Sequence, residues 1–335
     1  MREFQALLHP CPPLLPMTPP PPISVVIPCY NGAKYIASTL RSVLSQEGVE
    51  LEVIVVDDGS SDGSAELVER EFPQVRVVRQ SNAGVAAARN QGIRSARHAW
   101  VAFVDADDIW LPGKLQAQWA LLQANPQARM AYTAWQVWTC DDPEPSAEWL
   151  QALQARATHP ADWAGATGWI YADLLVDCHV WTSTVFAEKA LLEELSGFDA
   201  AMRIGEDYDL WLRASRLTPI VRVPRPYALY RLHPGNVTKR VPSANHKGMV
   251  ISRALQRWGY QSPDGRQAVR SAVARSLARS WSDFGGANLL AGNFNAARSA
   301  ALEAVRADPS QLLGWKLLAK SVARWRAPAR SLQSH

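Results

Sequence analysis

No two cysteines in this 335-residue chain stand at a spacing that binds metal or frames a disulfide. Cys11, Cys29, Cys140 and Cys178 are scattered, with no CxxC pair. That argues against a zinc site or a disulfide framework and fits a reducing cytoplasm. Long hydrophobic runs are also missing: nothing reaches the roughly 18 apolar residues that a spanning helix needs. The N-terminal apolar pieces are broken by Pro10, Pro12, Pro13 and Pro16, so no uninterrupted signal-peptide core forms and any membrane contact is expected to be peripheral. Excess charge is small. The formal net charge of +4 is too scattered to imply a nucleic-acid partner. One acid-free basic stretch, from Arg324 through Arg326 to Arg330, is expected to be solvated, with contact to an anionic surface as the alternative.

What the chain does have is a run of strand and helix signals. Residues 1–22 end in four consecutive prolines and are expected to form a disordered or extended leader. The β-branched run Ile23–Ile27 is followed by a helical pattern over about 35–46, with Ile36, Leu40, Val43 and Leu44 on one face. Strands are expected at 51–56, 75–79 and 100–104, and helices at about 64–72 and 85–96, with Asp62 or Ser64 as cap of the first. This alternation predicts an α/β fold with a parallel sheet. Polar residues gather after each strand, at the edge where open α/β sheets bind ligands. Further on, a helix is expected at 113–124, then strands at 129–137, 180–186, 220–223 and 227–231, with helices to Leu195 and from about Glu206 to Arg216.

Everything after about Asn245 has helical character. Trp281 and Trp315 recur at a spacing of 34 residues, with Gly285, Gly292, Phe294, Ala297, Ala304 and Pro309 between them. The pattern resembles about one tetratricopeptide repeat over about 278–320. Asn288 stands where a tyrosine is expected, and Ala301 where a bulky aromatic is. A two-helix cap on the preceding domain and a module that binds a protein partner both remain open.

Acidic clusters carry the chemistry. Asp105-Ala106-Asp107-Asp108 follows an apolar strand. Three carboxylates so close repel one another unless a cation sits among them, and hard oxygen ligands at a strand end suit Mg²⁺ or Mn²⁺. A solvated acidic turn is the plainer alternative. Asp57-Asp58 follows another apolar strand and lies near Pro28-Cys29-Tyr30-Asn31, where an aromatic beside acids suits a nucleoside; a simple turn is again the alternative. Arg89, in the segment Asn82 to Gly92, either serves a phosphate near Gly84 or pairs with Asp105 or Asp107. Glu206, Asp207 and Asp209 crowd a predicted helix start, more acids than a cap requires, and one of them suits a general base. His233, just beyond a strand, is within reach of a metal or a diphosphate, or is merely structural.

Taken in order, these segments resemble glycosyltransferase family 2. The matching residues are Val25-Val-Ile-Pro-Cys-Tyr-Asn31, Val55-Val-Asp-Asp-Gly-Ser-Ser-Asp62, Asn82-Ala-Gly-Val-Ala-Ala-Ala-Arg-Asn90, Phe103-Val-Asp-Ala-Asp-Asp108, Trp181-Thr-Ser-Thr-Val185, Gly197-Phe-Asp199, Glu206-Asp207 with Leu210-Trp-Leu-Arg213, and Tyr230-Arg-Leu-His233. Cys29 stands where the family commonly has a small or β-branched residue. The resemblance covers about residues 23–238 and implies a GT-A type α/β fold, a mostly parallel sheet flanked by helices, for a domain expected over 23–242, which the all-helical extension read above follows over 243–335. It also implies an inverting, metal-dependent transferase that moves a sugar from a nucleoside-diphosphate donor, UDP favoured, to a hydroxyl of a glycan or lipid-linked acceptor.

Residue roles follow from the same resemblance. Pro28, Tyr30 and Asp58 would hold the nucleoside, with Asp57 supporting the turn, and Asn31, Asn82, Gly84, Arg89 and Ala106 would line the nucleotide-sugar site. Asp105 and Asp107 would bind Mg²⁺ or Mn²⁺, with His233 at the metal or diphosphate. Asp207 would be the base and Glu206 a supporting or acceptor contact. Trp181, Thr182 and Ser183 would lie near the acceptor. A cytoplasmic enzyme, at most peripheral at the inner face of the membrane, would fit polysaccharide or envelope-glycan synthesis. A nucleotidyltransferase would want a Gly-rich basic loop after the first strand, where Pro28-Cys29-Tyr30-Asn31 stands instead. A non-catalytic binding protein is opposed by the intact acid set.

Overall fold

The structure, a computed structural model, describes residues 18–139, 144–156, 165–236 and 241–325. Most of the expected leader and the basic tail beyond Trp325 lie outside the described residues. The first half alternates strictly: β1 (Ile23–Cys29), α1 (Ile36–Leu44), β2 (Leu51–Asp57), α2 (Ser64–Glu71), β3 (Arg76–Arg79), α3 (Val85–Ser95) and β4 (Trp100–Phe103). Then come β5 (Ile109–Trp110), α4 (Lys114–Gln123), β6 (Met130–Trp138), α5 (Ala147–Arg156), α6 (Tyr171–Leu174), a 3₁₀ turn (Thr182–Thr184), β7 (Phe186–Glu188), α7 (Lys189–Glu194), α8 (Glu206–Ala214) and β8 (Ile220–Arg231).

These strands form one sheet in the order β3-β2-β1-β4-β7-β6-β8-β5. The β1/β2, β1/β4, β2/β3 and β6/β8 pairs are parallel, and β7 and β5 run antiparallel to their neighbours. Strand residues alternate between faces. Val25 and Ile27 pack with α1, α2 and α4, whereas Val26, Ile54 and Val56 pack with α3 and α8 on the other side. Continuous apolar strands are what a sheet covered on both faces requires. At Gly92 of α3 an added Cβ would lie 2.2 Å from Val26 Cγ1, so only glycine lets this helix settle on β1.

Strand order reverses at β1, with β2 on one side and β4 on the other. The β1/β4 ladder ends at Val26 and Phe103, but β1 continues along β2 as far as Cys29 and Asp57. Pro28, lacking an N–H, falls where no β4 partner stands. A crevice therefore opens outside the carboxyl ends of β1 and β4, the topological switch point of the sheet.

Two local expectations are corrected. The β-branched stretch expected as a strand over 180–186 instead closes a 3₁₀ turn, held by Thr184 N–H to Trp181 O at 2.9 Å and Val185 N–H to Thr182 O at 3.0 Å. Only Phe186–Glu188 remains strand. Conversely, the two pieces expected at 220–223 and 227–231 are one strand, whose pairing with β6 shifts register around Ala134 opposite Pro226. The prolines that break the sequence pattern occupy a bulge.

Beyond the sheet lie α9 (His246–Trp258), α10 (Arg270–Leu290), α11 (Phe294–Ala307) and α12 (Leu312–Trp325). Val250, Ile251 and Ala254 of α9 and Val273 of α10 share the core beneath α3 and α8, so packing is continuous past residue 242. The last three helices form a small cluster of their own around Leu289, Ala297, Ala301 and Leu317. Asn288, in the tyrosine position of the resembled repeat, is buried and accepts from Asn293 Nδ2 at 3.0 Å. Among the described residues no helix is long and apolar enough to cross a membrane.

Candidate active site

The loop after β4 is tied down on every side. Ser183 Oγ donates to Asp108 Oδ2 at 2.5 Å and accepts from Asp105 N–H at 3.0 Å. Asp108 Oδ1 accepts from the Arg231 N–H at 3.2 Å, and Thr39 Oγ1 donates to Ala106 O at 2.9 Å. Asp108 is buried, and burial, with Asp107 and Asp105 beside it, pushes its carboxyl well above the usual range. It fastens the loop. Ser183, expected near the acceptor, is 0% exposed and belongs to the same fastening.

Asp105 and Asp107 stand apart from this anchor, each with 29% of its side chain exposed. Asp105 Oδ1 accepts from Arg89 Nη2 at 2.8 Å. Asp107 Oδ2 lies 2.8 Å from His233 Nε2. Because His233 Nδ1 accepts from the Gly235 N–H at 3.1 Å, the neutral ring carries its proton on Nε2 and donates it to Asp107. Burial and the neighbouring Asp105 raise the Asp107 carboxyl, while His233 opposes the rise.

Arg89 reaches further. Its Nη1 donates to Glu206 Oε1 at 2.7 Å, so one buried guanidinium joins the acid loop to the first turn of α8. Pairing with Asp105, one of the two partners expected for it, is what the geometry holds. Gly205 is the N-cap of α8 and makes no side-chain bond, and of the three acids Asp207 bonds a first-turn amide, its Oδ1 accepting from the Tyr208 N–H at 2.7 Å. Asp209 pairs with Arg213 at 2.8 Å, Glu206 with Arg89, and Asp207 Oδ2 accepts from Thr182 Oγ1 at 3.1 Å. Burial raises the Glu206 carboxyl to about 7, with Arg89 pulling it down and Asp207 pushing it up.

At the ends of β1 to β3 the loops interlock. Asn31, at φ 53°, accepts from the Ser61 N–H at 2.9 Å through its side chain, and its own N–H donates to Ser60 Oγ at 2.9 Å. Asp58, expected to hold the nucleoside, accepts from Gln80 Nε2 at 2.7 Å, the Ala83 N–H at 2.8 Å and the Gly84 N–H at 2.9 Å. It binds the Asn82–Gly84 loop to β2. Asp57 Oδ2 accepts from the Ser60 N–H at 3.3 Å, and its Oδ1 is buried with no hydrogen-bond partner. Pro28, within β1, is buried, and Tyr30, just past the end of β1, is 57% exposed.

Arg231 received no role from sequence, although it stands in the matching segment with His233. It is fully buried: Nε donates to Asp107 O at 2.8 Å, Nη2 to Ser38 Oγ at 3.1 Å, and the guanidinium lies 4.4 Å from the Trp138 ring. An arginine at the end of an apolar strand is the signal that was there to find.

The donor set suits a hard divalent ion. Among the described residues no three His, Cys, Asp or Glu side chains are grouped to hold a metal by themselves. Asp105 and Asp107 supply two partly exposed carboxylates, and burial and the neighbouring Asp105 disfavour the charge on Asp107 until a cation is near. Mg²⁺ and Mn²⁺ are held in this way, by one or two carboxylates with waters and substrate phosphates completing the shell.

Residues 24–136 match the family described as Glycosyl transferase family 2. The succinoglycan biosynthesis protein ExoO of Rhizobium meliloti (strain 1021) is 31% identical over 249 residues, 70% of this chain and 69% of that protein. Among solved structures, S. aureus TarS 1–349 in complex with UDP-GlcNAc superposes with a TM-score of 0.59 at 18% identity, covering 91% of this chain and 89% of that one. The mannosyltransferase PcManGT from Pyrobaculum calidifontis, in complex with GDP-Man and Mn²⁺, gives a TM-score of 0.56 at 20% identity, covering 91% and 87%. These likenesses, together with the sheet order and its acid-lined crevice, define a GT-A fold with a helical extension. The chain belongs to glycosyltransferase family 2. It spans about a third of the length of the first curated relatives that it matches.

Proposed function

We propose that the chain is an inverting glycosyltransferase that moves a sugar from a nucleoside-diphosphate donor to a hydroxyl acceptor, in the synthesis of an envelope or secreted polysaccharide. The observation that carries this is the Arg89 bridge between two sets of acids. It holds Asp105, one of a partly exposed carboxylate pair suited to a divalent cation that would carry a diphosphate, beside a helix start that presents Asp207. ExoO, a succinoglycan biosynthesis protein by name, supports the polysaccharide setting. A donor nucleoside fits the crevice at Pro28, Tyr30, Asn31, Asp57 and Asp58, with UDP favoured. The exposed Tyr30 ring offers a stacking face, and the unpartnered Asp57 Oδ1 offers an acceptor.

Asp105 and Asp107 would hold Mg²⁺ or Mn²⁺, which when bound offsets the negative charge that develops on a departing diphosphate. His233 orients Asp107 through its Nε2 proton. Arg89 keeps Asp105 in place and holds Glu206 beneath α8. Asp207, oriented by Thr182 at the start of α8, takes the proton from the acceptor hydroxyl. A single displacement inverts the anomeric carbon, so no covalent nucleophile is required of the chain. Calorimetry of UDP binding with and without Mn²⁺ tests the assignment. Asp107→Ala is expected to abolish the Mn²⁺-dependent gain in affinity, and an unchanged gain would refute the role of Asp107.

A further inference from the structure

Trp135, on β6, is 37% exposed, although the same fold buries Trp211 completely and Trp110 to 2%. It does not stand alone. The Trp181 ring lies 5.3 Å from Trp135 and 5.1 Å from Tyr230, and Trp135 and Tyr230 are 6.1 Å apart. Three aromatic rings thus meet across two neighbouring parallel strands, Trp135 within β6 and Tyr230 near the end of β8, and at the entry of the 3₁₀ turn. The next residue in that turn is Thr182, whose hydroxyl donates to Asp207. The cluster therefore connects to the proposed base through one peptide unit and one hydrogen bond.

Exposed aromatic area is costly in water unless a ligand covers it, and an aromatic face favours weakly positive C–H edges. One side of a pyranose ring presents such C–H groups while its rim presents hydroxyls. We propose that Trp135, Trp181 and Tyr230 form the acceptor subsite, and that its occupant is a pyranose ring whose free hydroxyl is offered to Asp207. The acceptor is then a glycan end that already carries a sugar, rather than a bare lipid phosphate or an open-chain polyol. Trp181 and Tyr230 brace one another edge to face, at interplanar 78°, and Trp135 is the exposed member of the three. This inference rests on the proposed transferase activity, since Asp207 must be the base for the subsite to be an acceptor site.

Saturation-transfer NMR on the full chain, with UDP and Mn²⁺ present, tests it using methyl pyranosides of glucose, galactose, mannose and N-acetylglucosamine, with ribitol as the open-chain control. At least one pyranoside is expected to bind, with its ring C–H protons most saturated, and ribitol not. Trp135→Ala is expected to weaken that binding about tenfold, and Trp135→Phe to restore most of it. Pyranoside binding that is equal in wild type and Trp135→Ala would overturn the proposal, as would ribitol binding as well as the pyranosides. So would the absence of pyranoside binding by a wild-type protein that binds UDP with Mn²⁺. A wild-type protein that binds no UDP would instead overturn the transferase reading itself, which separates the two failures.

Discussion

Arg89 and Glu206, 117 residues apart in the chain, meet through Nη1 and Oε1 at 2.7 Å with both side chains buried. The same guanidinium holds Asp105 at 2.8 Å, so the acid loop and the start of α8 share one cation. Removing one member of a buried pair leaves a charge without compensation, at a cost of about 3–5 kcal/mol. Arg89→Met is expected to lower unfolding free energy by that order in urea titrations. The double variant Arg89→Met with Glu206→Gln should recover part of the loss, and a double variant no more stable than the single one would contradict the pairing.

Asp207→Asn keeps the shape of the side chain and removes its basicity. Transfer is expected to fall by about 10²–10⁴-fold, with UDP affinity nearly unchanged by calorimetry. Full turnover in this variant would end the base assignment.

Glu206 gives a pH dependence of known sign. Its carboxyl is raised from 4.5 to about 7 in the folded chain, so the folded state binds this proton more tightly than the unfolded one. The stability it contributes is complete below pH 4.5 and is lost as pH rises through 7, on the order of 3 kcal/mol in total. Asp107 and Asp108 are raised as well, so the measurement is a difference. Denaturation of wild type and Glu206→Gln across that window, in chelator, should show a shallower decline in the variant.

Two glycines in helices are expected to respond in opposite directions. Gly92→Ala drives a methyl against Val26 Cγ1 and should cost about 1–3 kcal/mol by overpacking. Gly286→Ala, in α10, meets nothing within 4 Å and should gain about 0.5–1 kcal/mol from helix propensity. Thermal melts of the two variants give the comparison directly.

The fold was legible where local rules suffice. Continuous apolar strands, helical periodicity and polar residues at strand ends appear as such in β1 to β4, and those loops do gather at one edge of the sheet. Legibility ended where β-branched residues were spent on a turn, at Thr182–Thr184, and where prolines marked a bulge rather than a break, in β8. Both cases depend on a partner strand or loop that a local window does not contain.

The sequence by itself determined the order of the acids, the strand ends they follow and the family the chain belongs to, because spacing and residue type are local properties. Only the tertiary structure divided the work among chemically identical carboxylates. Asp108 is buried under Ser183 and Arg231, Asp107 meets His233 from 126 residues away, and Asp58 binds a neighbouring loop while Asp57 keeps a free oxygen. What a carboxylate can do is set by its burial and its nearest cation or donor. Those neighbours arrive from distant parts of the chain, by the way the sheet reverses at β1.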